Sequence, residues 1–333
     1  MRVAVVGATG VVGSAMLALL RDRAFPADEI VPFASVRSSG KELAGGLIVR
    51  GLTADADIGG FDIALFSAGA AASREWARRF VEQGATVIDN SSAWRRDPDV
   101  PLVVAEVNPH ALERHHGLIA NPNCSTMQMV VALAPIHRAA GIERLVVATY
   151  QSVSGTGKRA IDELEAQAHA ALNGGEMPAP EVYPEPIAFN VIGAAGSFAD
   201  GDDHTDEERK MMFETRKILE DESIGVAVTC VRVPVRVSHS EAVNVQTRRP
   251  LSVAEVRELL AGASGVTLQD VPTPLQAAGR DDVFVGRIRP DDSHPRAFSM
   301  WIVSDNLRKG AATNAVQIAE LLAAKHAAAS AGR

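Results

Sequence analysis

The chain has 333 residues, and this length predicts two domains at roughly 150 residues per domain. Its 33 Lys and Arg against 41 Asp and Glu give a formal net charge of −8, which argues against a nucleic-acid-binding protein. The presence of only 2 Cys excludes a disulfide framework and a Cys-rich zinc module, and no other metal site is predicted. No apolar stretch reaches the roughly 18 residues of a membrane helix, and the first residues enter an apolar strand without room for a signal peptide. We therefore expect a cytoplasmic α/β protein.

Strands and helices alternate over the first 120 or so residues. Apolar, β-branched runs predict strands at 2–6, 29–35, 61–69 and 85–92, with helical patterns after the first and third of them. A further apolar segment, GLIANPNC, leads to Cys124. This alternation predicts a doubly wound parallel sheet.

The pattern changes after Cys124. Long strands connected by long segments predict an α+β domain with a mixed sheet. We expect a first domain at 1–123, completed by a C-terminal helix at 306–333, and a second domain at 124–305. Helices are predicted at 124–141, at 158–174 and within 200–221, and strands at 144–155, 228–240 and 241–250.

Three glycines lie between the first strand and the first helix. Gly7, Gly10 and Gly13 permit a tight turn and a close approach of the backbone to a ligand. The N–H groups of a following helix N-terminus then suit a pyrophosphate. This context favours a dinucleotide site. The alternative is a βα turn with a purely structural role.

The end of the second strand indicates which dinucleotide is bound. NAD-binding proteins usually place an Asp or Glu there to hold the ribose hydroxyls. Here the segment is SVRSSGK, in which Arg37 has hydroxyl residues on both sides and no acid is present. A guanidinium suits a 2′-phosphate, which favours NADP. The alternative is a solvated loop arginine.

Cys124 lies at a strand-to-helix junction, in NPNCST. A thiol at a helix N-terminus has a lowered pKa, as nucleophilic cysteines do. Cys230 instead lies inside an apolar strand and is typical of a core thiol. A core thiol remains the alternative for Cys124 as well.

A nucleophilic thiolate is usually paired with a proton acceptor, and His239 is the candidate. It closes the strand-like run RVPVRVSHS, in which Arg232 comes seven residues earlier. Strict alternation would place Arg232 and His239 on opposite faces, although Pro234 can interrupt the strand. The spacing alone leaves their convergence open.

Together these motifs resemble one enzyme family. GATGVVG, SVRSSGK, FSAG, DNSSAWR, NPNCST, QSVSGTG, RVPVRVSHSEAV and DNLRKGAA follow in this order over nearly the whole chain. The set resembles the aspartate-semialdehyde dehydrogenases of the bacterial type. The resemblance implies a Rossmann-type NADP-binding domain, a catalytic and dimerisation domain, and a homodimer or homotetramer. It also implies NADPH-dependent reductive dephosphorylation of L-aspartyl-4-phosphate to L-aspartate 4-semialdehyde through a Cys thioester. This reaction belongs to the aspartate pathway to lysine and diaminopimelate, methionine, threonine and isoleucine.

The resemblance assigns a role to each candidate residue. The catalytic group comprises the nucleophile Cys124, the general acid/base His239 and Gln151, which holds the substrate at the thioester. Arg232 matches the ligand of the substrate carboxylate. Glu207 matches an acid that binds the substrate amino group, together with Gln151, or supports its neighbours. The phosphate ligands are Arg95, Lys210 and Asn123. The cofactor contacts are Gly7, Thr9, Gly10, Val11, Val12, Gly13, Arg37, Ser38, Ser154, Gly155 and Asn306.

Several alternatives remain open at this point. Glu207 and Lys210 are three residues apart, so they also suit a surface ion pair on a helix. The choice of Arg95 over its neighbour Arg96 depends on the resemblance alone. Ser238 departs from the Gly that many family members have before the histidine. Functionally, the alternatives are an N-acetyl-glutamyl-phosphate reductase-like enzyme and a non-catalytic NADP-binding paralogue.

Overall fold

The computed structural model describes residues 1–331, so the last two residues of the predicted C-terminal helix lie outside the described residues. The chain divides into two compact units. The first unit comprises Met1–Pro122 and the chain from Ala311 onwards, and the second comprises Asn123–Gly310. The predicted helix start at 306 is wrong, because a π-helical turn, Arg308–Ala312, precedes the final α-helix.

The described elements are numbered in chain order. The strands are β1 (Arg2–Val6), β2 (Glu29–Ala34), β3 (Glu42–Leu43), β4 (Leu47–Ile48), β5 (Arg50–Gly51), β6 (Ile63–Phe66), β7 (Thr86–Asp89), β8 (Leu118–Ala120), β9 (Ile142–Gln151), β10 (Gly225–Arg232), β11 (His239–Thr247), β12 (Val266–Leu268), β13 (Val283–Pro290) and β14 (Ala297–Ser304). The α-helices are α1 (Val11–Asp22), α2 (Gly69–Glu82), α3 (Cys124–Ala140), α4 (Lys158–Leu172), α5 (Asp206–Leu219), α6 (Val253–Ala261), α7 (Pro274–Ala277) and α8 (Thr313–Ala331). Three 3₁₀ turns are Val36–Ser38, Pro109–Arg114 and Val153–Thr156.

The first unit is built on a six-stranded parallel sheet in the order β5-β2-β1-β6-β7-β8. Apart from Arg2 at the start of β1, the central strands β1 and β6 are apolar, because both faces of the sheet are covered. Helices α1 and α8 pack over one face, and α2 packs over the other with a cluster of phenylalanines. The predicted doubly wound fold is confirmed. The short strands β3, β4 and β5 were not predicted.

The second unit contains a mixed six-stranded sheet in the order β10-β9-β11-β14-β13-β12. The strand predicted over 228–240 is wrong in its second half, because β10 ends at Arg232 and β11 begins only at His239. The connection at 233–238 contains Pro234, whose missing N–H cannot join a ladder. The sequence yielded no prediction for the elements between 251 and 304.

Helices α3 and α5 pack on one face of this sheet. The opposite face carries small and aromatic side chains, with Tyr150 against Trp301 at a ring-centroid distance of 5.2 Å. Val146 and Tyr150 are each more than one-third exposed on this face. Among the residues that the structure describes, none of the helices has the length and apolar character of a membrane span.

Candidate active site

The predicted catalytic and substrate-binding residues of the second unit lie at one end of its sheet. The parallel strands β9 and β10 both end there, and their last residues, Gln151 and Arg232, are partners in the register. Strand β11 runs antiparallel to β9 and therefore begins at the same end, with His239. Helices α3 and α5 directly precede β9 and β10 and pack on the sheet, so their N-termini lie at this end too. The topology thus resolves the question left open by strand alternation, because Arg232 and His239 lie on different strands.

Cys124 is the first residue of α3. The side chain of Asn123 caps the helix, its Oδ1 accepting from the backbone N–H groups of Ser125 at 3.0 Å and Thr126 at 3.2 Å. The backbone N–H of Asn123 donates to the buried carboxylate of Glu214 at 2.6 Å. The cap fixes the thiol at the positive end of the helix dipole, which favours the thiolate. Cys124 is partly exposed, whereas Cys230 is buried and its pKa is raised by burial.

The carboxylate of Glu207 links the surroundings of Cys124 to the sheet. Its Oε1 accepts from the side-chain amides of Asn123 at 2.7 Å and Gln151 at 3.0 Å. Its Oε2 lies 3.2 Å from the ammonium of Lys210, which also binds Asp206 at 2.6 Å. Burial alone would raise the pKa of Glu207, but Lys210 and the two amides hold it below its usual range. The surface-pair alternative therefore describes part of the structure, although the side chain of Glu207 is only 13% exposed.

Arg232 is buried beside the same end of the sheet. One guanidinium nitrogen donates to the carbonyl of Ser152 at 2.7 Å, and the group lies over the ring of Tyr183 at 5.8 Å. Its Nε has no hydrogen-bond partner among the described residues. A buried guanidinium with an unused N–H donor suits a carboxylate ligand.

His239 is completely buried. The backbone N–H of Ser152 donates to its Nδ1 at 3.0 Å, and Nε2 has no partner among the described residues. Burial and the charge of Arg232 lower the pKa of His239 to about 3, against an opposing contribution from Glu207. The ring is therefore neutral near pH 7.

Two of the predicted cofactor contacts, Ser154 and Asn306, are buried in a hydrogen-bond network beside His239. The Oδ1 atom of Asn306 accepts from the hydroxyls of Ser152 at 3.1 Å and Ser154 at 3.0 Å. Gly155 packs against the imidazole, because a Cβ added there would lie 3.2 Å from Nε2. The structure thus brings these three residues together around the histidine.

The other predicted cofactor residues lie in the first unit. Gly7 has a φ of +86°, and a Cβ added to it would lie 2.2 Å from the carbonyl oxygen of Ser67. A Cβ on Gly13 would lie 2.2 Å from the carbonyl oxygen of Gly7. The turn therefore requires glycine at both positions. Helix α1 begins after Gly10 with no acidic residue in its first turn, so its N-terminus suits an anion. Thr9, Val11 and Val12 complete this turn.

Three further predicted residues belong to the first unit. Arg37 is exposed in the 3₁₀ turn after β2, next to the half-buried Ser38. Arg95 is buried, and its guanidinium donates to the carbonyl of Asn90 at 2.8 Å. Of the three predicted phosphate ligands, Lys210 and Asn123 meet at Glu207 in the second unit. The phosphate roles of all three residues stay predictions.

Three further residues of the site were not predicted from the sequence. Ser152 contacts both His239 and Arg232, Glu214 holds the residue before Cys124, and a Cβ on Gly310 would lie 3.0 Å from the Cβ of Cys124. Ser152 and Gly310 lie in the motifs QSVSGTG and DNLRKGAA, which therefore contained a signal for both. Glu214 is an ordinary helix residue in sequence, and no local pattern marks it.

Comparisons with known proteins agree with this description. The family model "semialdehyde dehydrogenase, NAD binding domain" matches residues 2–115, and "semialdehyde dehydrogenase, dimerisation domain" matches residues 133–309. The chain is 53% identical to the aspartate-semialdehyde dehydrogenase of Aquifex aeolicus, over 96% of this chain and 97% of that protein. It is 52% identical to the enzyme of Streptomyces akiyoshiensis, over 98% and 99%.

Solved structures give the same result. Aspartate semialdehyde dehydrogenase II of Vibrio cholerae, complexed with ASA, aligns with a TM-score of 0.93 and 50% identity over 97% of this chain and 98% of that one. The enzyme of Candida albicans with NADP aligns with a TM-score of 0.76 and 26% identity over 98% and 99%.

Proposed function

Because the chain belongs to the aspartate-semialdehyde dehydrogenase family, we propose that it reduces L-aspartyl-4-phosphate to L-aspartate 4-semialdehyde through a thioester on Cys124. The observation that carries this proposal is the meeting of Cys124, Gln151, Glu207, Arg232 and His239 at one end of the second sheet. This reaction supplies the aspartate pathway to lysine, methionine, threonine and isoleucine.

We assign each residue of the site a role that follows from its charge. The thiolate of Cys124, stabilised by the N-terminus of α3, attacks the acyl carbon, and the acyl phosphate breaks to a thioester and phosphate. Lys210 supplies the cation for the departing phosphate, with Asn123 beside it. Arg232 binds the substrate carboxylate, and Glu207 binds its ammonium with Gln151 alongside. His239 presents Nε2 to the oxygen on which negative charge develops.

We assign NADP as the cofactor, whose reduced form would supply a hydride to the thioester carbon when it is bound. The C–S bond to Cys124 then breaks and releases the aldehyde. The glycines at positions 7 and 13 permit the tight turn before α1, where a Cβ would collide with the backbone, and the first turn of α1 has no competing acid. Arg37 and Ser38 follow β2, where an NAD-specific protein would carry an acid. These residues favour the 2′-phosphate of NADP over NAD. Contacts of Ser154, Gly155 and Asn306 with the cofactor remain part of the proposal.

We further propose a homodimer in the cytoplasm. The exposed face of the second sheet supports the dimer, since its aromatic and small side chains are typical of an interface core and the family carries a dimerisation domain there. Replacement of Tyr150 by Glu should convert the dimer to a monomer in sedimentation experiments. A dimer of unchanged mass would place the interface elsewhere.

The proposed reaction is tested in the oxidative direction with the purified protein. We expect NADP reduction with aspartate semialdehyde only when inorganic phosphate is present, and little with N-acetyl-glutamate semialdehyde. Cys124→Ala should abolish turnover while NADP binding survives, whereas the matched Cys230→Ala should retain turnover. Preference for the N-acetylated substrate would assign the chain to the alternative acyl-phosphate reductase. Turnover by Cys124→Ala would refute the thioester.

A further inference from the structure

The contacts of His239 determine which of its ring nitrogens carries the proton. The backbone N–H of Ser152 points at Nδ1, with an N to Nδ1 distance of 3.0 Å. A backbone N–H can only donate, so Nδ1 must offer its lone pair. A neutral imidazole has a single N–H, which therefore lies on Nε2.

A buried network holds this arrangement in place. The backbone N–H of Ser238 donates to Asn306 at 2.9 Å, which identifies the accepting atom as the amide oxygen Oδ1. The hydroxyl of Ser152 lies 3.1 Å from this oxygen and 3.1 Å from Nδ1 of His239. These side chains are all almost fully buried. A proton on Nδ1 could reach the Ser152 hydroxyl. It would still oppose the Ser152 N–H, away from water that could separate the two donors.

The Nε2 atom faces the opposite way, toward Arg232. It has no acceptor among the described residues although it is buried. A Cβ on Gly155 would lie 3.2 Å from Nε2 and 3.5 Å from a guanidinium nitrogen of Arg232. The missing side chain of Gly155 therefore leaves room for an oxygen atom next to both donors.

We propose that Ser152 is a positioning residue that holds His239 in its neutral Nε2–H form, and that His239 acts during acylation as a hydrogen-bond donor to the substrate oxygen. This inference rests on the proposed function. When the thiolate adds to the acyl carbon, a C–S bond forms and the carbonyl π pair moves to the oxygen. When the adduct collapses, that pair re-forms C=O. The C–O bond to phosphate breaks, and its electron pair leaves with the phosphate. Neither of these two steps transfers a proton to the ring, so an N–H donor suffices for acylation.

The charges around His239 are consistent with this role. The charged side chains that act on the ring are Arg232 on β10 and Glu207 on α5. Burial and Arg232 lower its pKa to about 3, while Glu207 opposes them. The ring therefore remains neutral over the pH range in which histidines usually titrate.

The tautomer can be measured on the substrate-free protein. Long-range ¹H–¹⁵N spectra of protein labelled with ¹⁵N-histidine distinguish a protonated ring nitrogen from a bare one, and His239→Asn assigns the signal. We expect a bare Nδ1 and a protonated Nε2, unchanged between pH 8 and pH 5. An Nδ1–H form, or an imidazolium within this range, would overturn the proposal. The result does not depend on which semialdehyde is the substrate.

Kinetics then separate a donor from a general base. A glutamine at position 239 can place an N–H near the position of Nε2, whereas an asparagine reaches only as far as Nδ1. We expect His239→Gln to retain at least about tenfold more kcat than His239→Asn, which should lose about 10²–10³-fold as for a lost oxyanion donor. Equal losses in both variants would contradict the donor role.

The role of Ser152 has its own variants. Ser152→Ala keeps the backbone N–H, so the tautomer should persist while kcat falls about tenfold, as for one lost hydrogen bond. The exposed Ser223→Ala is the matched control and should leave kcat unchanged. Ser152→Pro removes the N–H and should allow the Nδ1–H form. A Ser152→Pro protein that folds with its Nε2–H signal unchanged would show that Ser152 does not set the tautomer. If that variant does not fold, the tautomer seen in the wild-type spectrum decides whether the proposal stands.

Discussion

Replacement of Glu241 by glutamine is expected to stabilise the protein relative to the wild type, by an amount that grows as the pH rises. Glu241 lies two residues after His239, on the helix-covered face of β11, and is completely buried. Neither of its carboxyl oxygens has a hydrogen-bond partner among the described residues. Burial raises the pKa of Glu241 well above its usual value, with a smaller opposing contribution from Gln128. The folded protein therefore keeps this carboxyl protonated under conditions in which the unfolded chain ionises it.

The sign and size of the effect follow from proton linkage. Between the unfolded pKa of about 4.3 and the higher folded pKa, the native state binds one more proton than the unfolded state. The free energy of unfolding therefore falls by about 1.4 kcal/mol per pH unit because of this group alone. Glutamine has nearly the same shape and cannot ionise, so this loss should disappear in Glu241→Gln. The variant should gain about 1.4 kcal/mol on the wild type for each unit of pH within this window.

Urea unfolding at pH 5, 6, 7 and 8 measures this difference, provided that every sample has the same protomer concentration. Glu258→Gln is the matched control, because it removes the same charge from an exposed position on α6. The control curve should run parallel to that of the wild type. If the Glu241→Gln curve also runs parallel to the wild type, the buried carboxyl is not protonated and the reasoning fails.

Three further substitutions test single positions. Gly155→Ala places a Cβ 3.2 Å from Nε2 of His239, so kcat should fall about 10²-fold with the circular dichroism unchanged, and an unchanged kcat would contradict the tight contact. Ser238 has a φ of +79°, so Ser238→Gly should raise the stability by about 0.5–1 kcal/mol, and a lowered Tm would show that its backbone is unstrained. Gly7→Ala sets a Cβ 2.2 Å from the oxygen of Ser67 and should abolish NADP binding in a fluorescence titration, with full affinity contradicting the required turn.

The sequence was most informative where local chemistry determines the structure. The apolar runs of the first 120 or so residues predicted the parallel sheet, because strands buried on both faces have no polar alternation to obscure them. The glycine turn and the position of Cys124 at a helix N-terminus were also predictable, since each depends on neighbours in the chain. The roles of the candidate residues remain predictions, although the structure brings those of the second unit together.

The remaining features depend on contacts that are distant in sequence. The alternation of side chains along one strand could not relate Arg232 to His239. Arg232 ends β10 and His239 begins β11, and the pairing of both strands with β9 brings the two residues to the same end of the sheet. The contact of Ser152 with His239 joins residues 87 positions apart, and that of Glu214 with Asn123 joins residues 91 apart. No short-range pattern carries such information.

From the sequence, Glu207 and Lys210 suit either an ion pair on a helix or a pair of substrate ligands. In the structure these two interpretations are compatible. An ammonium in this partly buried place would tend to lose its proton, but Glu207 and Asp206 keep the pKa of Lys210 above its usual value. Lys210 and the amides in turn keep Glu207 ionised against the effect of burial. The ion pair is therefore the condition under which each residue keeps the charge that its proposed ligand requires. A substrate that carries both an ammonium and a phosphate meets the two charges together, so the pair accommodates it without leaving either side chain as an isolated buried ion.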